Sequence, residues 1–175
     1  RCSVHREHLA MSVRPRETRW LSLAVEGSLV ALVVGSVIWV AYSFSQTGYL
    51  PAPYLYNPVD TFMDWFNVAF WSHNWGAYEA WGAVYPPFSF VFMKIFGLPR
   101  CYLSSPFWAR DCDWLGTVTL LAIYALDVVI AARIFWWKDK RTAVMRSVAF
   151  ALGLPMLFAL ERGNLILLCL TFFMI

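Results

Sequence analysis

From Trp20 to about Phe44 the chain runs through apolar residues with a single charge, Glu26. At 1.5 Å of rise per residue, roughly 25 helical residues reach about 37 Å, enough for a tilted crossing of a ~30 Å hydrocarbon core. Composition points the same way. The 175 residues are 60% hydrophobic and only 14% charged, where soluble domains carry about 25% charged residues. That surplus of apolar surface has nowhere to go in water, so an all-α integral membrane protein is expected. The 10 Trp and 8 Tyr suit membrane interfaces, where amphipathic rings settle. A net charge of +3 is too small to argue for a nucleic-acid partner.

Arg14, Arg16 and Arg19 precede the first span, which predicts a cytoplasmic N-terminus. No small-residue cleavage site follows that span, so it reads as retained rather than as a signal peptide. Met11 reads like a true start, and residues 1–10 like sequence foreign to the native chain. The expected organisation is a cytoplasmic tail over 1–19 and a polytopic transmembrane domain over 20–175. Because "LTFFMI" stops inside an apolar run, that domain reads as the N-terminal part of a longer protein.

After the first span, Pro51, Pro53 and Pro58 forbid a regular helix. A long outer loop is therefore predicted. Thr61 to Trp71 is helix-length and aromatic but too short to span, so it reads as a helix lying in the interface or packed on other helices. Pro86 and Pro87 suit the opening turn of a helix through "FSFVFMKIFGL". Trp114 to about Trp137 and Thr142 to Leu160 are further spans, separated by "KDKR" at 138–141. If the segment after Pro87 crosses the membrane, "KDKR" falls outside. If that segment is re-entrant, "KDKR" falls inside and "ERGN" at 161–164 outside. The sequence leaves both open.

Asp64 sits in "TFMDWFNVAFW", where a carboxylate is costly. A charge deep in a membrane costs about 2.5–3.5 kcal/mol on insertion scales. The bland alternative is a solvated or helix-capping acid. Asp60, just after Pro58, is well placed to cap the following helix. On one helix the two acids would share a face, and paired acids can divide acid and base roles or hold a metal. Arg162, Gly163 and Asn164 form a polar notch between apolar runs. Glycine there permits close approach and arginine suits phosphate. A plain loop with Glu161 pairing Arg162 explains the same residues. Asp127 and Arg133, six apart in one span, need separate partners. Cys101 and Cys112 can close a disulfide on an oxidising side or stay free thiols on a reducing one. Cys2 and Cys169 have no evident partner. The three histidines, His5, His8 and His73, do not lie inside spans as haem ligands would.

The order of these pieces resembles the membrane-embedded glycosyltransferases of the C superfamily, in particular the polyprenol-phosphate-mannose-dependent mannosyltransferase-like group. Asp64, Ala69, Gly76, Tyr78, Tyr85, Pro86 and Pro87 occupy the places of that group's loop pattern. Arg162, Gly163 and Asn164 stand as a shifted counterpart of its later Gly-Gln-x-Asn motif. The resemblance covers roughly Leu21 to the end. It implies transfer of mannose, or another hexose or pentose, from a polyprenyl phosphate to a lipid or glycan acceptor at the outer face of a bacterial inner membrane. It further implies Asp64 as general base with Asp60 as a second acid, and Tyr78, Tyr85, Arg162 and Asn164 as substrate-binding residues, Arg162 holding the leaving phosphate. Trp65, Trp71, Trp75 and Trp81 suit sugar faces and lipid edges alike. No cofactor is implied. Some members use a divalent metal, but no second ligand set is evident. The rival reading is a non-enzymatic transporter or lipid-carrier subunit, with Asp127 and Arg133 marking a path.

Overall fold

The computed structural model of the protein describes residues 16–175 apart from 75 and 81. The expectations for Arg14, for residues 1–10 and for Trp75 and Trp81 lie outside the described residues. Among the described residues the architecture is all helical. The helices are α1 (Arg16–Thr47), α2 (Met63–His73), α3 (Pro87–Ile95), α4 (Pro106–Cys112), α5 (Trp114–Lys138), α6 (Ala143–Leu152), α7 (Leu154–Arg162) and α8 (Ile166–Met174). Single 3₁₀ turns at Pro58–Asp60 and Pro99–Cys101 complete them.

Three stretches are long and apolar enough to cross a membrane: Trp20–Thr47, Trp114–Lys138 and Ala143–Arg162. The third is broken where the sequence predicts one span. At Gly153 the backbone turns to φ −64°, ψ 146°, and Pro155 follows at the start of α7. A Cβ at Gly153 would lie 2.5 Å from the Ala149 carbonyl oxygen, so only glycine fits this bend. Proline removes the N–H that would have continued the ladder. The helix after Pro86 and Pro87 starts where the sequence predicts, with Pro87 as its first residue. It ends at Ile95 and spans about 14 Å, too short to cross.

An antiparallel arrangement follows. The end of α1, the start of α5, the end of α7 and the described residues of 48–113 gather at one end of the bundle. Residues 138–142 and the starts of α1 and α6 gather at the other. There Arg146 Nη2 pairs with Glu26 Oε1 at 2.6 Å, so Glu26 faces a neighbouring helix. Tyr124 Oη donates to the Ala151 carbonyl at 2.7 Å, tying α5 to α6.

The core sits at the first end and is built around α2. Met63, Trp65, Phe66, Val68, Ala69 and Phe70 are all buried. Trp65, Phe66, Val68, Ala69 and Phe70 pack with Met93, Tyr102, Leu120, Met156 and Leu167, among others. Of the two readings the sequence left open, this is the helix packed on other helices. A helix burying residues on most of its circumference is a core element, and burying a Val, Phe or Met side chain contributes about 1.5–3 kcal/mol of transfer free energy. A second lock runs to α5. The Tyr102 hydroxyl donates to the fully buried Asp113 carboxylate, and Asp113 Oδ1 caps α5 by accepting from Gly116 N at 3.0 Å. Cys101 and Cys112 are joined in a disulfide that closes this subdomain. Cys169 is an exposed free thiol.

Candidate functional site

The site forms where α7 ends against the start of α2. Gly163 adopts φ +67°, and its N–H reaches the Leu160 carbonyl at 2.9 Å while Asn164 N reaches the Ala159 carbonyl at 2.8 Å. This is the double hydrogen bond of a left-handed C-terminal cap, and glycine adopts it without steric cost. The helix end therefore turns sharply, with Arg162 on one side of the turn and Asn164 on the other.

Two bonds fasten this corner to the loop after α1. Phe62 N donates to the Glu161 carbonyl at 2.8 Å, and Leu55 N donates to Glu161 Oε1 at 3.2 Å. Glu161 thus clamps 55–62; it does not pair with Arg162 as the plain-loop reading expects. Phe62 sits at φ +66°, a left-handed conformation that costs a non-glycine residue about 1–2 kcal/mol. Such strain persists where the surroundings impose it, often at sites of function. Here the imposing contact is the 2.8 Å bond to Glu161.

With the corner fixed, Asp64 meets two donors from far along the chain. Arg162 Nε lies 3.2 Å from Asp64 Oδ2 and Arg162 Nη2 lies 3.5 Å from Oδ1. Asn164 Nδ2 is 3.3 Å from Oδ2. Asn164 Oδ1 accepts from Ile166 N at 2.9 Å at the start of α8, which turns the side-chain amide N–H toward the acid. The Asp64 side chain is 23% exposed and that of Arg162 35%, so the pair is screened only in part. Phe158 lies beneath the guanidinium, 5.8 Å from its carbon to the ring centre.

Tyr85 borders this cluster. Burial pushes its phenol up first, the Asp64 charge adds to that, and Arg162 opposes it. Tyr85 therefore keeps its proton at neutral pH. The Tyr78 hydroxyl is already used, donating to the Tyr85 carbonyl at 2.9 Å, and its ring meets Phe90 edge-on at 5.4 Å. Tyr78 thus ties the Tyr85 backbone to α3.

Asp60 departs from expectation. It is the last residue of a 3₁₀ turn capped by Asn57, and α2 takes Phe62 as its N-cap with no side-chain cap bond. Asp60 is not on one helix with Asp64, so the shared-face argument fails, and it is not among the groups bonded to Asp64. Asp127 and Arg133 do have the separate partners that their spacing requires. Thr171 Oγ1 donates to Asp127 Oδ1 at 2.5 Å, and Arg133 lies over the Trp137 ring at 5.2 Å. Among the described residues no cluster of three or more His, Cys, Asp or Glu side chains is arranged to hold a metal. The sequence reading missed Glu161 as a clamp and Phe62 as a strained hinge. The Gly163 reading gave the close approach but not what approaches.

Compared with known proteins, the chain matches no protein-family model, no curated protein and no solved structure.

Proposed function

We propose that the protein takes part in glycosyl transfer from a polyprenyl-phosphate sugar to a hydroxyl of a lipid or glycan acceptor, with Asp64 as the general base. The observation that carries this reading is the meeting of Asp64, Arg162 and Asn164 at one end of three membrane-length apolar helices, with Tyr85 close enough to feel the Asp64 and Arg162 charges. A donor whose sugar is anchored by an apolar chain can be met only at such a boundary. Lys138, Lys140, Arg141 and Arg146 lie at the opposite end together with Arg16 and Arg19. The bias of Lys and Arg toward the cytoplasmic side favours an outer orientation for the site. The Cys101–Cys112 disulfide on the site's side fits an oxidising compartment.

In the proposed step Asp64 takes the proton of the acceptor hydroxyl. The acceptor oxygen bonds to the anomeric carbon, and the bond from that carbon to the phosphate oxygen breaks. Polyprenyl phosphate leaves with the electron pair, and the anomeric configuration inverts. Arg162 and Asn164 hold the carboxylate in one orientation, and a positioned base is worth about 10²–10⁴ in rate. The rival path through Asp127 and Arg133 draws less support, because Arg133 is exposed and stacked on Trp137.

The test is transfer from a polyprenyl-phosphate sugar by the full chain in vesicles. Asp64→Asn keeps the shape and removes the base, so the rate should fall at least 100-fold with insertion unchanged. Transfer at the unaltered rate in Asp64→Asn sinks the reading.

A further inference from the structure

Little in α8 tells it which way to face, since Thr171 is its one residue that is not apolar. Leu167, Leu168 and Thr171 are buried, while Ile166, Cys169, Phe172 and Phe173 are exposed. In lipid an apolar side chain gains little by choosing a protein neighbour over an acyl chain, so close packing and polar bonds decide how helices meet. Among the described residues Thr171 is the one α8 side chain that hydrogen-bonds another helix, and its partner is Asp127 of α5. We infer that Asp127 is a positioning residue for the candidate site: it pins the rotation of α8, and α8 in turn holds Asn164 against Asp64.

The surroundings of Asp127 suit a pin and not a charge. Asp127 is fully buried, and its Oδ2 has no hydrogen-bond partner. The cations of the helices packed together here are engaged elsewhere. Arg146 is bound to Glu26 and Arg162 to Asp64, Arg133 lies over Trp137, and Lys138 closes the last turn of α5. Thr171 Oγ1 lies 2.5 Å from Asp127 Oδ1 and 3.1 Å from the Leu167 carbonyl oxygen. A hydroxyl both donates and accepts. It donates to an ionised carboxyl, or accepts from a protonated one and turns its own proton to Leu167. The link between α5 and α8 closes in both states, so it does not depend on the charge.

The helix carries this pin to the site. At its start Ile166 N donates to Asn164 Oδ1 at 2.9 Å, and the same amide presents Nδ2 to Asp64 Oδ2 at 3.3 Å. Turning α8 about its axis draws Ile166 N off Oδ1 and frees the amide to leave the acid. An interhelical hydrogen bond in a bilayer biases such a choice of placement by about 3- to 30-fold. The bearing on Asp64 as a base rests on the proposed function. The pinning of α8 does not.

The experiment reads the helix first and turnover second. Cys169 is exposed on α8, and Cys101 and Cys112 are joined, so Cys2→Ser leaves one thiol to spin-label in the full chain in nanodiscs. The parent should give one label environment. Asp127→Leu with Thr171→Val removes the bond without stranding a buried polar group. That paired variant should insert and unfold near the parent temperature, yet show a second label environment. The drop in unfolding temperature caused by Asn164→Ala should shrink by about half in it, because coupled sites are not additive, and transfer should fall about 3- to 30-fold. Asp127→Asn and Thr171→Ser keep the hydrogen bond and should keep the parent label spectrum. Tyr124→Phe, which removes the bond from α5 to α6, should keep it too. A parent spectrum in the paired variant overturns the pin. So does a second environment in Asp127→Asn as large as in Asp127→Leu, which would make the charge the working feature. A full Asn164→Ala effect in the paired variant, or a changed spectrum with transfer at the parent rate, overturns the link to Asp64. Absence of transfer by the parent chain counts against the proposed function alone, and the label and the Asn164→Ala comparison still decide the pin.

Discussion

Gly163→Ala is the substitution that most directly probes how the site is assembled. Gly163 is buried and sits at φ +67°. A Cβ there would lie 2.9 Å from the Phe62 carbonyl oxygen, 2.9 Å from the Trp65 Cβ and 3.0 Å from the Phe62 Cα. Two of these three atoms are backbone and cannot turn aside. The left-handed conformation costs alanine about 1–2 kcal/mol. Overpacking a filled site costs about 1–3 kcal/mol more. The sum is about 2–5 kcal/mol, relieved only by moving α7 away from α2 and so parting Arg162 from Asp64. The assay is thermal unfolding of the purified chain in detergent, beside transfer activity. Gly27 and Gly35 serve as controls, because a Cβ at either meets nothing within 4 Å. In mid-helix, alanine there should be neutral or stabilise by up to about 1 kcal/mol. If Gly163→Ala unfolds at the same temperature as the parent, the close approach of the two helix ends is not a constraint and the account of the site's assembly fails.

Three further outcomes are expected. Tyr102→Phe leaves a lone pair of the buried Asp113 carboxylate without its donor and should cost about 1–3 kcal/mol in chemical denaturation. Burial and the Asp113 bond hold the Tyr102 phenol well above its ordinary value of 10.0. A pKa raised in the folded state gives stability that is complete below about pH 10 and lost as pH climbs beyond it. Alkaline titration of stability should show that loss in the parent chain and less of it in Tyr102→Phe. Removing the disulfide by Cys101→Ala with Cys112→Ala should cost about 2–3 kcal/mol for so short a loop, and an unchanged denaturation midpoint in the double variant would refute a structural role. A double-mutant cycle with Glu26→Gln and Arg146→Gln should return a coupling of about 1 kcal/mol, since Arg146 is partly exposed; zero coupling would mean that α1 docks on α6 by apolar contact alone.

The legible parts of this fold share one property: they depend on local composition. The first span and α5 are long, continuous apolar runs. The opening of α3 follows from two prolines, whose fixed φ and missing N–H suit a first turn. The break in the third span had a signal too, Gly153 followed by Pro155, but continuous hydropathy across it outweighed that signal. The sequence left two readings of α2 open for a different reason. Aromatic residues suit a membrane interface and a packed core equally, and only the partners tell them apart. Those partners, Met93, Leu120, Met156 and Leu167, are scattered across the following hundred residues.

The site divides along the same line. Asp64, Arg162 and Asn164 are unusual residues for their surroundings, and that made them visible. Their meeting across 98 and 100 positions is set by backbone contacts that side-chain identity does not encode. Phe62 N reaches the Glu161 carbonyl, a bond any residue other than proline can make. The conformation this bond imposes is one phenylalanine disfavours, so propensity argues against it. Asp60 shows the converse. Residue type and spacing marked it as a helix cap, yet α2 begins after Phe62 because the bond to Glu161 takes over the role of a cap in fixing where the helix starts. The one sequence trace of this junction is Gly163, whose missing side chain admits Phe62 and Trp65. A glycine between an arginine and an asparagine therefore says more about where the acid will be found than the acid's own neighbours do.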